Sequence, residues 1–143
     1  ELAQWIIDNR LHLCHVFTVD DLKYLHRGGR VSKTAAIAGS ILGIKPLLHV
    51  DNEGHLIPVG KIRGRKQSIE KLVDMMCERM GNWDNSTVAV CHGDCLSDAE
   101  YAADLMRRKL GKKTTVHICY TGAVIGSHSG PGTLALFFMG DQR

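Results

Sequence analysis

The chain has 143 residues, about one ordinary domain. Eighteen Lys and Arg against 15 Asp and Glu leave +3 with His neutral, too small an excess for a dedicated nucleic-acid binder, which concentrates basic charge. Apolar residues make up 44%, which excludes a disordered tail, and apolar runs such as Leu134 to Met139 are far too short to span a bilayer.

Residues 1–10 are mixed and amphipathic, with Leu2, Trp5 and Ile6 on one side, and read as the end of a helix rather than a secretory signal. Since the chain opens at Glu1 inside that pattern, we expect a trimmed domain whose ligand site is only half present. Leu13 to Val19 is β-branched and aromatic and reads as a strand. Asp20 is placed to cap a short helix that Gly28-Gly29 ends. Ser32 caps a helix over about Lys33 to Leu42, stopped by Gly43, with Pro46 following. Leu47 to Val50 and His55 to Ile62 flank Asp51-Asn52-Glu53-Gly54, the pattern of a β-hairpin. Over Lys66 to Met80, Ile69, Leu72, Val73, Met76, Cys77 and Met80 fall on one helical face. Thr87 to Cys91 is a short buried strand. Ser97-Asp98-Ala99-Glu100 reads as a capping box opening a helix to about Leu110. Thr115 to Tyr120 and Thr133 to Met139 are two further strands. The alternation predicts an α/β fold, a mixed β-sheet with packed helices, and no linker or repeat divides residues 1–143.

Five segments carry candidate chemistry. Leu22 to Ser32 is a basic, Gly-broken turn, readable as two helix caps or as an anion-holding turn with Arg27 and Arg30 exposed for a partner. Thr34 to Leu42 is poor in bulky side chains, which suits close packing against the sheet or the wall of a thin apolar ligand. Lys61-Ile62-Arg63-Gly64-Arg65-Lys66 is a cationic run, readable as a solvated surface, as a site docked to an acidic protein surface, or as a nucleic-acid patch, against which stand the weak overall charge and the lack of interleaved aromatics. Cys91-His92-Gly93-Asp94-Cys95 permits a zinc reading, completed by His117 and Cys119 if the strands are adjacent. No second paired element supports that reading, and a plain strand-to-loop turn competes with it. Gly122 to Thr133 is the most unusual stretch, a tight Gly-rich loop holding Ser127, His128 and Ser129, where His128 can donate to a carboxylate. Gly126 to Gly130 fails the nucleophile-elbow pattern, because its central residue is His128. The five cysteines, Cys14, Cys77, Cys91, Cys95 and Cys119, are an odd set for a disulfide framework and read as reduced thiols of a cytoplasmic protein.

Together these segments resemble the DegV family. Thr18-Val19-Asp20-Asp21-Leu22-Lys23-Tyr24-Leu25, Gly28-Gly29-Arg30-Val31-Ser32, Gly43-Ile44-Lys45-Pro46-Leu47-Leu48, Lys61 to Lys66 and Ile125-Gly126-Ser127-His128-Ser129-Gly130-Pro131-Gly132-Thr133 match its signature in order, over nearly the whole chain. The resemblance implies the second, C-terminal domain of a two-domain bacterial fatty-acid-binding protein, some members of which are the acyl-carrying subunit of a fatty acid kinase. It implies that an N-terminal domain, absent from this chain, holds much of the carboxylate. It also places His128 near the carboxylate, and Gly126, Ser127, Ser129, Ile37, Ile41 and Leu42 become candidate ligand contacts. Arg27, Arg30, Arg63 and Arg65 become candidates for docking the kinase.

The leading expectation is therefore a lipid-binding carrier. It has no catalytic residue, metal or cofactor of its own; its ligand is a long-chain fatty acid and its partner a kinase catalytic subunit. Burying an acyl chain is favourable by about 0.8 kcal/mol per methylene, and its carboxylate needs hydrogen-bond donors at the mouth. The alternatives are a small hydrolase or transferase using His128 with Ser127 or Ser129, and a zinc-stabilised interaction domain around Cys91 to Cys95.

Overall fold

A computed structural model of the chain describes residues 1–32, 43–141 and 143. In chain order the elements are α1 (Leu2–Asn9), β1 (Leu13–Thr18), α2 (Leu22–Arg27), β2 (Ile44–Val50), β3 (Leu56–Arg63), α3 (Arg65–Arg79), β4 (Thr87–His92), α4 (Leu96–Leu110), β5 (Thr115–Tyr120), α5 (Ala123–Ser129) and β6 (Leu134–Met139). The strands form one six-stranded sheet in the order β3-β2-β1-β6-β4-β5. Among the described residues, only β4 and β5 run parallel, joined through α4; every other neighbouring pair is antiparallel. The expected mixed α/β sheet is therefore what these residues build.

Alternation along the central strands assigns the two faces. Leu134, Leu136 and Phe138 of β6, with Cys14 and Val16 of β1 and Val88 and Val90 of β4, are buried on one face. The apolar stripe of α3 (Ile69, Leu72, Val73, Met76) and the small-residue face of α4 (Ala99, Ala102, Met106) close over them into the main core. Each fully buried Leu or Phe contributes about 2 kcal/mol of apolar transfer. The opposite face carries His15, Phe17, Cys91, Ala135 and Phe137 and, among the described residues, is partly covered by α1, α2 and α5.

Three local expectations are corrected. Asp21, not Asp20, caps α2: its Oδ1 accepts from the Lys23 N–H at 2.8 Å. Asp20 instead pairs with Lys45 at 2.8 Å. Helix α4 starts at Leu96, so Cys95 is its N-cap and Ser97 lies within the first turn, leaving no capping box. Asp98, in that first turn, accepts from Arg65 Nε at 2.8 Å. Gly122 to Thr133 is not a loop throughout, since Ala123–Ser129 is a seven-residue helix. The helix expected over about Lys33 to Leu42, with Ile37, Ile41 and Leu42, lies outside the described residues.

Candidate functional site

This partly covered face of the sheet holds an apolar cavity of about 440 Å³. Its floor is His15 and Phe17 of β1, Ala135 and Phe137 of β6 and Cys91 of β4; Val50 and Leu56 of the hairpin, Leu25 of α2 and Val124 and Ile125 of α5 complete the walls. The volume is that of a small-molecule site. A second groove of about 400 Å³ lies on the same face beneath Trp5 and Ile6 of α1, and Phe137 lines both.

Helices α2 and α5 meet at the mouth through two glycines. At Gly28 a Cβ would collide with His128 Nδ1, and at Gly130, where φ is +80°, a Cβ would collide with the Tyr24 ring. The glycines let the two helices approach until His128 lines the cavity. Two polar atoms there are buried without a hydrogen-bond partner among the described residues: His128 Nδ1 and Thr121 Oγ1. Both residues line the cavity, and so does Arg30, which also donates to the Gly28 carbonyl. Unpaired buried polar atoms able to donate, beside an apolar slot, suit an amphiphile with an anionic head.

Of the residues singled out from the sequence, His128 and Ser129 reach the cavity wall, while Gly126 and Ser127 are not among the residues lining it. Ser127 Oγ donates to the Val124 carbonyl at 2.8 Å, and Ser129 Oγ to the Ile125 carbonyl at 2.8 Å. Both hydroxyls are thus tied to their own helix, and among the described residues neither meets His128 as a nucleophile meets its base. The basic residues divide. Arg27 and Arg63 are exposed, Arg27 lying over the Tyr24 ring. Arg65 is half-buried: it donates to Asp98 Oδ2 at 2.8 Å and to the Gly132 carbonyl at 2.8 Å, and Asp20 lies 3.8 Å away. It braces the turn before β6 rather than facing outward.

His15, Phe137, Tyr120 and Thr121 are lining residues that motif reading missed. His15 and Phe137 were accessible from strand alternation; Thr121, just beyond β5, carries no sequence signal. Burial and nearby Arg143 lower the His15 pKa to about 4, so the floor is uncharged at neutral pH. The cysteines also depart from expectation. Cys91 and Cys119 sit opposite each other in the β4–β5 register and are joined as a disulfide. Cys95 lies elsewhere, donating to the Thr133 carbonyl at 3.3 Å. The described residues contain no cluster of three metal-ligating side chains, which leaves the zinc alternative without a ligand set there. No helix among them is long and apolar enough to cross a membrane.

Comparison with known proteins decides the family. The DegV family model matches residues 1–141. The chain belongs to the DegV family. A DegV domain-containing protein of Clostridium perfringens is 46% identical over 143 residues, covering all of this chain and 49% of that protein. The chain spans about half the length of the curated DegV relatives it matches. A fatty-acid-binding DegV protein of Streptococcus agalactiae superposes with a TM-score of 0.83 at 29% identity, over 99% of this chain and 49% of that one. The fatty acid kinase B3 protein of Streptococcus pneumoniae, solved with linoleic acid, shares the fold with a TM-score of 0.86 at 16% identity, over 98% and 49%. The first of these is a fatty-acid-binding protein, and the second is loaded with linoleic acid.

Proposed function

We propose that this chain is the second domain of a DegV fatty-acid carrier. The cavity over β1 and β6 takes the acyl tail, and the mouth between α2 and α5 takes part in holding the carboxylate. The observation that carries this reading is the apolar slot of about 440 Å³ with two unpartnered polar atoms, His128 Nδ1 and Thr121 Oγ1, on residues that line it. Apolar walls stabilise the methylenes, and the donors offset the cost of removing the carboxylate from water. The Streptococcus agalactiae relative, a fatty-acid-binding DegV protein, supports the ligand class. The remaining carboxylate contacts come from the half of the relatives that this chain does not span.

Presentation of the acid to a kinase catalytic subunit is the finer part of the proposal. Arg27 and Arg63, exposed and outside the core, and Arg30 at the mouth form the basic docking set for an acidic partner surface. Arg65 is reserved to the Asp98 bridge. The charge balance fits a protein partner rather than nucleic acid, and a cytoplasmic carrier is the setting that fits the reading. The experiment is native mass spectrometry of this chain and of the full-length protein, with solvent extraction of bound small molecules. A fatty acid leaving with both means that the domain holds the tail alone; one leaving only with the full-length protein means that the site needs both halves. If neither yields a fatty acid after incubation with a mixture, the carrier reading fails.

A further inference from the structure

We propose that Cys91 and Cys119 form a reversible redox-modification site in the wall of the cavity, whose state sets how tightly the cavity holds an acyl chain; the second clause rests on the carrier reading above. The two residues are direct partners in the parallel β4–β5 register, with Cα atoms 4.8 Å apart, and their sulfurs are joined. Cys91 lines the cavity beside Tyr120, Thr121 and Ala135. Cys119 is exposed on β5, which is the edge strand of the sheet. One sulfur therefore borders the space for the ligand while the other is open to a solution thiol or disulfide. Exposed disulfides are the labile ones, in contrast to buried structural staples.

Burial pushes the pKa of the thiols of Cys14, Cys77 and Cys95 up, which disfavours their reactive thiolates. Exchange is thus directed to the cavity pair. The oxidant is a low-molecular-weight disulfide. The Cys119 thiolate attacks one of its sulfurs and releases one thiolate; the Cys91 thiolate then attacks the Cys119 sulfur of the mixed disulfide and releases the second. Two electrons pass to the oxidant, two cysteine protons are lost, and two small thiols result after protonation. A dithiol reductant runs the same steps backwards.

Reduction changes the wall in two ways. The sulfurs separate to non-bonded distance, which drives the Cys91 sulfur toward the ligand space, and S–H dipoles replace an aprotic bridge in an apolar wall. The oxidised form accordingly binds an acyl chain more tightly, and by reciprocity a bound acyl chain favours the disulfide.

The test uses the full-length protein, treated with oxidised glutathione or with dithiothreitol. Non-reducing peptide mass mapping is done first, without lipid, and a fluorescent long-chain fatty acid is then titrated into each form. The expected result is a Cys91–Cys119 linked peptide in the oxidised sample and affinity at least about fivefold weaker in the reduced one, with the difference abolished in Cys119→Ser. Thiols that stay unlinked at saturating oxidant, or equal affinity of the two forms, overturn the inference. An unlinked pair in protein that still binds fatty acid sinks this inference alone. A linked pair in protein that binds no fatty acid in either state sinks the carrier reading and the redox control of lipid with it. Because Cys119 is exposed, Cys119→Ser is expected to fold, which its melting temperature checks; Cys91→Ser gives the same abolished difference as a second variant.

Discussion

Gly28 and His128 touch where the end of α2 meets α5, so closely that a methyl group at Gly28 would occupy the space of His128 Nδ1. The backbone at Gly28 has φ −75°, a conformation any residue adopts. Gly28→Ala therefore acts on the histidine and not on the turn. We expect it to displace the ring and weaken fatty-acid binding by about tenfold, about 1.4 kcal/mol. Titration of the full-length variant with a fluorescent fatty acid checks this, and unchanged affinity would detach the α2–α5 contact from the site.

The two unpartnered polar atoms give a sharper pair of variants. Thr121→Val keeps the shape and removes a buried hydroxyl that has no partner among the described residues. Its stability should hold or rise slightly, because no bond is lost. Its fatty-acid affinity should fall, as should that of His128→Ala. Thermal melting and ligand titration on the same samples separate the effects. A Thr121→Val protein that melts lower and binds normally would make Thr121 structural.

Much of the fold was legible because alternation and helical periodicity report burial directly. Leu134 to Met139 and the stripe Ile69, Leu72, Val73 and Met76 are laid down in the sequence as they are packed. Helix starts were less legible: Asp20 and Asp21 are both good caps, and only the tertiary pull of Lys45 on Asp20 decides between them. The Ser97 capping box fails for another reason: α4 begins at Leu96 with Cys95 as its N-cap, which puts Ser97 inside the first turn. At the site, the motif containing His128 stood out, but Thr121 and the meeting of Cys91 with Cys119 depend on strand register, which no local pattern encodes.

Arg63 and Arg65, two residues apart, should behave oppositely. Arg65 bridges Asp98 and the Gly132 carbonyl in a half-buried setting, so Arg65→Ala should cost about 2 kcal/mol of unfolding free energy. Exposed Arg63→Glu should change stability by less than about 0.5 kcal/mol and weaken docking to the kinase while sparing lipid binding. Urea denaturation and kinase titration of both variants make the comparison. Unaltered kinase affinity in Arg63→Glu and in Arg30→Glu would reduce the basic residues to solvated ones.

His15 makes stability depend on acid. Its pKa is lowered from 6.5 to about 4 in the folded chain, mainly by burial and then by Arg143. Between those values the unfolded chain binds the proton that the folded chain refuses, so stability rises with pH across this window. The stabilisation is complete above the ordinary value and is lost as pH falls from about 6.5 towards 4. His15→Gln removes the titration and should flatten that part of the curve. Melting temperatures of both proteins across the window check it, and parallel curves would place the acid sensitivity elsewhere.

Phe137 lies between the two apolar spaces on the face opposite the main core. It lines the main cavity and the groove under α1, and its ring meets His15 edge-on at 5.1 Å. Phe137→Ala should join the spaces and admit a longer acyl tail. Truncating this half-buried ring should cost about 2 kcal/mol of stability, below the range for a fully buried Phe. Each further methylene that becomes buried adds about 0.8 kcal/mol, roughly fourfold in affinity. The readout is the affinity ratio between a long and a short saturated fatty acid, measured on wild type and variant, because a general loosening of the fold would weaken both ligands alike. A ratio that moves toward the longer acid makes Phe137 the stop for the tail. An unchanged ratio means that the tail ends before reaching it and that the groove under α1 takes no part in binding.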